Sequence, residues 1–516
     1  MRRTYCKGIL TCCLALGASL ACTPRATPGP VANASGAANA EPVVTAERTD
    51  ALKPPPDEQP APDAGAEAAL RRHIESVQRG APNYDDMAPR VADMIRAQPG
   101  PLEIIAGLGE IRSIVFKGKG PQGGNIFDVE TTQGVSEWRI LLNAEGKIEV
   151  IFFRVAPPAP PATVPSEPEL LSALEARLDQ ATAADRFSGV VLLAKGGKPI
   201  FQAARGLADR ERKQKVGMQT KFRIGSMNKM FTAVAVLQLC ERGKLSLDDT
   251  LARWLPDYPN AELAKSVTLH HLLTHTGGTG DIFGPLFEQH RGELTSHQAY
   301  IDLYGQRDLE FPPGARFAYS NYGFILLGRV IEKASGVSYY DYVREHVYTP
   351  AQMAATGSEP ESERVADRSV GYRRGPDGLK PNVDFLPPRG TSAGGGYSTA
   401  QDLLRFAGAL TKHTLLSAES TQLLMTGKVR TDPRAMYAYG FSERNYEGIH
   451  TFGHGGGAPG MNGELAILPG SGHVLVVLAN LDPPAAGELA SFIIERLPRE
   501  PSSPASAPTP PVASGR

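Results

Sequence analysis

Apolar positions change their period along this chain. Over 66–78 and again over 87–97 they recur at helical spacing. The runs 111–117, 125–131, 136–142 and 148–154 are strand-like instead, with Gln133-Gly134 and Glu145-Gly146 supplying hairpin turns. Two helices followed by a meander predict a small α+β domain over 66–155. A second pattern starts near Glu167 with a helix, then a hairpin, 189–194 and 199–204, around Gly196-Gly197. Met230, Phe231, Val234, Leu237 and Leu239 are spaced as on a helix that Gly243 ends. A mostly helical middle follows. Strands return near 463–468 and 473–479, before a last helix. Strands at both ends with helices inserted between them predict an α+β fold: an antiparallel sheet flanked by helices, carrying an inserted helical lobe, over 167–498. A cleft between the lobes is the expected place for a site.

Between and around these patterns the composition shifts. Met1-Arg2-Arg3 and Lys7 precede a short apolar run, 8–20, as in a secretory signal, which predicts cleavage near residue 22. Segment 23–65 is rich in Ala and Pro and reads as a disordered tether. Residues 156–166 hold a polyproline hinge, and 499–516 a second Pro/Ser/Ala tail. Of the five cysteines, Cys6, Cys12 and Cys13 leave with the signal, and Cys240 reads as core. Lys and Arg number 54 against 55 Asp and Glu, for a net charge of −1. That balance carries no footprint of a polyanion partner, so no nucleic acid is expected.

Three short motifs carry candidate chemistry. In Ser226-Met227-Asn228-Lys229, positions i and i+3 share a helical face, so an amine can touch a hydroxyl. A serine hydroxyl needs such a base. A lysine serves as one only if burial lowers its value from about 10.4. Ser226 would stand at a helix N-terminus, where developing negative charge is favoured. Tyr319 and Asn321 straddle Ser320, so an extended backbone puts both side chains on one side: a phenol to pass a proton and an amide to hold amine and substrate. His454 precedes Gly455, Gly456 and Gly457, whose missing side chains let substrate approach the backbone. The amides of Ser226 and Gly457 are the expected oxyanion donors. His271 and His275 have i, i+4 spacing that can bind metal, but no Glu follows His271. No metal and no cofactor are expected.

With these motifs and their surroundings the chain resembles the serine β-lactamase and penicillin-binding protein superfamily, in its class C-like branch of esterases and peptidases. The resemblance extends to Phe222-Arg223-Ile224-Gly225, Leu272-Leu273-Thr274-His275-Thr276-Gly277-Gly278, Phe311-Pro312-Pro313-Gly314, Leu326-Leu327-Gly328, Gly394-Gly395-Gly396-Tyr397-Ser398-Thr399 and Pro459-Gly460. It implies a β-lactamase/transpeptidase-like fold, Ser226 as acylated nucleophile, Lys229 as general base, Tyr319 as proton relay, Asn321 as substrate-positioning residue and His275 as a structural loop residue. His454 falls where strict β-lactamases carry lysine in a K-T-G triplet. Histidine, with an ordinary value near 6.5, is mostly neutral at pH 7 and attracts carboxylates less. The expectation is therefore a serine hydrolase acting on a small ester, an amide or a peptidoglycan-type substrate. Esterase or D-amino-acid peptidase ranks ahead of β-lactamase, and the alternative from another class is a sensor that is acylated without turnover. Bacterial lipoproteins resemble the chain around Ala21-Cys22, which implies lipidation of Cys22, membrane anchoring and an envelope location; without lipid the protein would be secreted. A lipidated Cys22 leaves no intrachain disulfide. The 66–155 segment resembles cystatin- or NTF2-like modules. A monomer is expected.

Overall fold

The computed structural model describes residues 61–97, 102, 105–120, 124–132, 134–155, 164–375, 378–432, 434–446 and 448–497. The expected signal with Cys22, nearly all of the tether, most of the hinge and the tail lie outside the described residues. The chain forms two compact units, one within 1–158 and one within 159–516.

In the first unit, α1 (Ala66–Gln78) and α2 (Pro89–Ala97) precede a four-stranded antiparallel meander. Its strands are β1 (Ile111–Lys119), β2 (Asn125–Thr131), β3 (Gly134–Leu142) and β4 (Ile148–Val155). α2 begins two residues later than its apolar pattern because Pro89 takes the first helical position, where a missing N–H costs nothing. Leu70, Ile74 and Val77 of α1 pack on one face of the sheet with Phe127, Val129, Trp138 and Phe153. Trp138 is fully buried, stacks on Phe153 at 4.6 Å, and gives its indole N–H to Ser136 Oγ at 2.8 Å.

The second unit opens with α3 (Glu167–Ala183) and the hairpin β5 (Gly189–Lys195) and β6 (Lys198–Arg205). Helices then dominate: α4 (Asn228–Glu241), α5 (His297–Tyr304), α6 (Asn321–Ser335) and α7 (Tyr339–Val343) are those that matter for the site. The chain returns through β7 (Val429–Asp432), β8 (Ala435–Tyr437), β9 (Ser442–Tyr446), β10 (Ile449–Ala458), β11 (Met461–Leu468) and β12 (His473–Ala479), and ends in α8 (Ala485–Ile494). One antiparallel sheet of eight strands results, in the order β7-β8-β9-β10-β11-β12-β5-β6. The last strand thus pairs with the first hairpin, Val476 opposite Leu192 and Leu478 opposite Val190.

The sheet is covered on both faces, which explains why β12 reads as one continuous apolar run. Val190, Leu192, Val476 and Leu478 meet Phe231 and Val234 of α4 on the inner face. Val191, Leu193, Leu475 and Val477 meet Leu174 and Leu178 of α3 and Leu489 and Ile493 of α8 on the outer face. The sheet also returns earlier than its apolar pattern shows. Strands β7 to β10 come before residue 463, where only helices and loops were expected. β7 and β9 are half-exposed and polar, and β10 holds four glycines, so neither alternation nor propensity marks them.

Candidate active site

Residues Phe222–Arg223 pair with Tyr397–Ser398 and lead into a single tight turn, Gly225–Met227, that runs straight into α4. Ser226 lies in this turn rather than in the α-helix proper, yet the i, i+3 relation to Lys229 survives. Every residue of α4 from Asn228 to Leu239 is buried. The Lys229 side chain therefore runs through protein to the site and is 0% exposed. Its Nζ stands 3.2 Å from Ser226 Oγ, 2.7 Å from Asn321 Oδ1 and 2.5 Å from the Ala393 carbonyl. Burial drives the amine down to about 7, against the opposing pull of Asp281. A neutral amine has two hydrogens and one lone pair. With Asn321 Oδ1 and the Ala393 carbonyl able only to accept, both hydrogens go to them, and the lone pair is left for the Ser226 hydroxyl.

Ser320 fixes the second motif. Its extended backbone caps α6, with Oγ accepting the Gly323 N–H at 2.9 Å. That leaves Tyr319 and Asn321 on the Lys229 side, as their spacing predicts. Asn321 is clamped by Asp281, whose carboxylate accepts its backbone N–H at 2.8 Å and its amide at 3.2 Å. The Tyr319 ring lies 4.7 Å from Lys229 Nζ and 4.2 Å from the His275 ring. Although 38% of Tyr319 is open to solvent, its hydroxyl end faces Ser226. Loss of water there raises the phenol above its ordinary value, opposed by Ser226.

The third motif sits in β10, not in a loop. His454 is buried, with Nδ1 2.5 Å from the Gly455 carbonyl and Nε2 3.0 Å from the Tyr437 hydroxyl. A carbonyl only accepts, so Nδ1 carries the proton and Nε2 accepts from Tyr437. Burial, then the neighbouring Lys229, lowers His454 to about 3, so it is a neutral ring. The glycines beside it are required by contact. A Cβ on Gly456 would stand 1.9 Å from the Ile224 carbonyl, and one on Gly225, where φ is +52°, would stand 3.3 Å from the Gly457 nitrogen. The Gly457 amide thus stands against the turn that carries Ser226.

Three participants escaped the sequence reading. Asp281, the Ala393 carbonyl and Tyr437 belong to no motif, and only the folded chain brings them to Asn321, Lys229 and His454. His275 was expected to be structural. A short helix, Leu269–Leu273, ends before it, and His275 takes φ +57°, off the helical register that would align it with His271. Its Nδ1 accepts the Ser320 N–H at 3.1 Å, and the ring lies against Tyr319 and Phe324. Cys240 packs half-buried against the core, and burial pushes its thiol up to about 11. Among the described residues no cluster of His, Cys, Asp or Glu could hold a metal ion.

A serine, a buried lysine, a tyrosine and a glycine-lined strand brought together in this way define a serine hydrolase of the β-lactamase and penicillin-binding protein type. Residues 174–496 match the family model described as Beta-lactamase, and the chain belongs to that family. It is 30% identical over 315 residues to Penicillin-binding protein 4* of Bacillus subtilis, covering 57% of this chain and 68% of that protein. It is 34% identical over 271 residues to Esterase EstB of Burkholderia gladioli, covering 46% and 69%. A solved penicillin-binding protein from Bacillus halodurans superposes with a TM-score of 0.57 at 36% identity, covering 61% of this chain and 98% of that one.

Proposed function

We propose that this protein cleaves an ester or amide through an acyl-enzyme on Ser226. Lys229 takes the proton as Ser226 attacks the carbonyl carbon. Tyr319 passes that proton to the leaving group and then activates the water that releases the acid. Asn321 orients amine and substrate, and the amides of Ser226 and Gly457 receive the oxyanion. The observation that carries this reading is the fully buried Lys229 amine, held by two acceptors so that its lone pair is left for Ser226 Oγ.

The neutral His454 ranks the substrates. Its one proton is spent on Gly455, so it offers no cation to a carboxylate. Esters and D-amino-acid amides fit that surface better than β-lactams. The likeness to an esterase supports the same order. The charged and then apolar start of the chain supports an envelope location with Cys22 as lipid anchor; radiolabelled palmitate incorporation that Cys22→Ala abolishes would test it.

The decisive experiment is intact-mass analysis after treatment with a fluorophosphonate. One adduct is expected on the parent and none on Ser226→Ala. A panel of p-nitrophenyl esters, a D-Ala-D-Ala peptide and nitrocefin then ranks the acyl donors. Cleavage of nitrocefin alone would overturn the reading of His454, and an adduct elsewhere would overturn that of Ser226.

A further inference from the structure

Behind Lys229 lies a second polar constellation that the mechanism above does not use. His297 of α5 has Nδ1 2.9 Å from Glu332 Oε1 on α6, and Nε2 3.0 Å from Ser392 Oγ. Arg329 holds the other oxygen of Glu332 at 2.9 Å. The Ser392 hydroxyl reaches the Phe324 carbonyl at 2.8 Å, and its backbone N–H donates to Nε2 at 3.3 Å.

In outline this is the serine–histidine–acid arrangement of a hydrolase, but substrate cannot reach it. Ser392 is 0% and His297 1% exposed. A Cβ on Gly328 would already lie 2.2 Å from Ser392 Oγ and 2.7 Å from His297 Nε2. A nucleophile needs an open side, so the arrangement has another task.

The task follows from what Ser392 is attached to. Residues 391–394 form a tight turn, closed by mutual backbone hydrogen bonds of Thr391 and Gly394 at 2.7 and 3.2 Å. Three side chains of α4 donate to its successive carbonyls: Asn228 to Thr391 at 2.6 Å, Thr232 to Ser392 at 2.7 Å, and Lys229 to Ala393. The turn is thus held on one face by α4 and on another by α5 and α6.

We propose that Glu332, His297 and Ser392 are positioning residues that hold the Ala393 carbonyl against the Lys229 amine. The inference rests on Lys229 acting as the base of Ser226. Two acceptors orient the neutral amine, and Asn321 supplies one of them. If Ala393 drifts, a hydrogen can turn toward Ser226 and the lone pair away from it. A displacement of about 1 Å at such a distance costs about 100-fold in rate. A loosened turn also admits water to the amine, whose low value comes mainly from burial. The groups around the two centres bear on any pH reading. Lys229 faces Asp281, His275, His454 and Tyr319. His297 faces Glu332, Tyr339 and Tyr340, with Arg389 stacked on the far ring.

The test is the rate of fluorophosphonate labelling against pH for the full chain and for Ser392→Ala, His297→Ala and Glu332→Gln, with circular dichroism and unfolding temperature beside each. Ser392→Ala removes one oxygen, so it keeps the test open if His297→Ala does not fold. Expected are folded variants labelled on Ser226 about 10- to 100-fold more slowly at pH 7, with the rising limb displaced to higher pH and Glu332→Gln least affected. A folded Ser392→Ala with the parent rate and limb overturns the proposal. So does a slower rate with an unmoved limb, which is what a merely structural role gives. An adduct that persists in Ser226→Ala and disappears in Ser392→Ala would make Ser392 a nucleophile instead. A parent protein that is not labelled overturns the proposed function itself.

Discussion

Asp281→Asn tests whether the charge state of Lys229 sets the rate. The substitution keeps shape and an oxygen acceptor for the Asn321 backbone N–H while removing a negative charge. Lys229 Nζ is 2.7 Å from Asn321 Oδ1, and Asn321 Nδ2 is 3.2 Å from Asp281 Oδ2. With the width of the amide between them, amine and carboxylate are at most about 8 Å apart, which at an effective dielectric of about 20 is worth roughly 2 kcal/mol. Asp281 is half-exposed, so about 1 kcal/mol survives screening, or roughly 0.7 pH units. The sign follows from the charge: Asp281 favours the ammonium, so its loss makes the free amine available at lower pH. The parent's labelling rate should rise through about 7, and that of Asp281→Asn through a value a little above 6. At pH 6 the variant should run about 3- to 4-fold faster, each rate taken relative to its own plateau at high pH, which removes any change in the limiting rate. The assay is pseudo-first-order fluorophosphonate inactivation from pH 5 to 10. A limb that stays put or moves up refutes the electrostatic argument. A parent limb near 10 refutes the depressed amine altogether.

Two further outcomes are expected. Tyr319→Phe keeps the ring against His275 and Lys229 but loses the hydroxyl that reaches Ser226; turnover of p-nitrophenyl acetate should fall about 10²- to 10⁴-fold. Acyl-enzyme should then accumulate to a mass detectable in the steady state, and unchanged turnover would remove Tyr319 from the relay. Gly456→Ala puts a Cβ 1.9 Å from the Ile224 carbonyl, and urea unfolding should show a loss of about 1–3 kcal/mol from overpacking. Gly408→Ala is its control, because nothing lies within 4 Å of that position in the helix Ala400–Thr411; it should gain about 0.5–1 kcal/mol.

Local order in the chain was enough to foresee its local structure where one face is buried and the other wet, and where, as in β12, both faces are covered. α1, the meander of the first unit, the β5–β6 hairpin and β12 all carry patterns that follow from burial alone. The same patterning fails for β7 to β10, because a half-exposed edge and a glycine-rich strand leave no apolar trace. Ser226 with Lys229 and Tyr319 with Asn321 were legible because each pair is fixed by spacing within one turn or one short extended stretch.

The primary structure determined which serine, lysine, phenol and run of glycines this chain carries, since those are facts of residue type and interval. It could not decide whether the Lys229 amine is charged. That depends on a helix buried on every side, on an acceptor carbonyl at Ala393 far along the chain, and on a carboxylate at Asp281 beyond Asn321. The neutrality of His454 is likewise a property of its burial in an eight-stranded sheet near Lys229. Ionisation responds to solvent access and to neighbours in space, and only the closed fold supplies either.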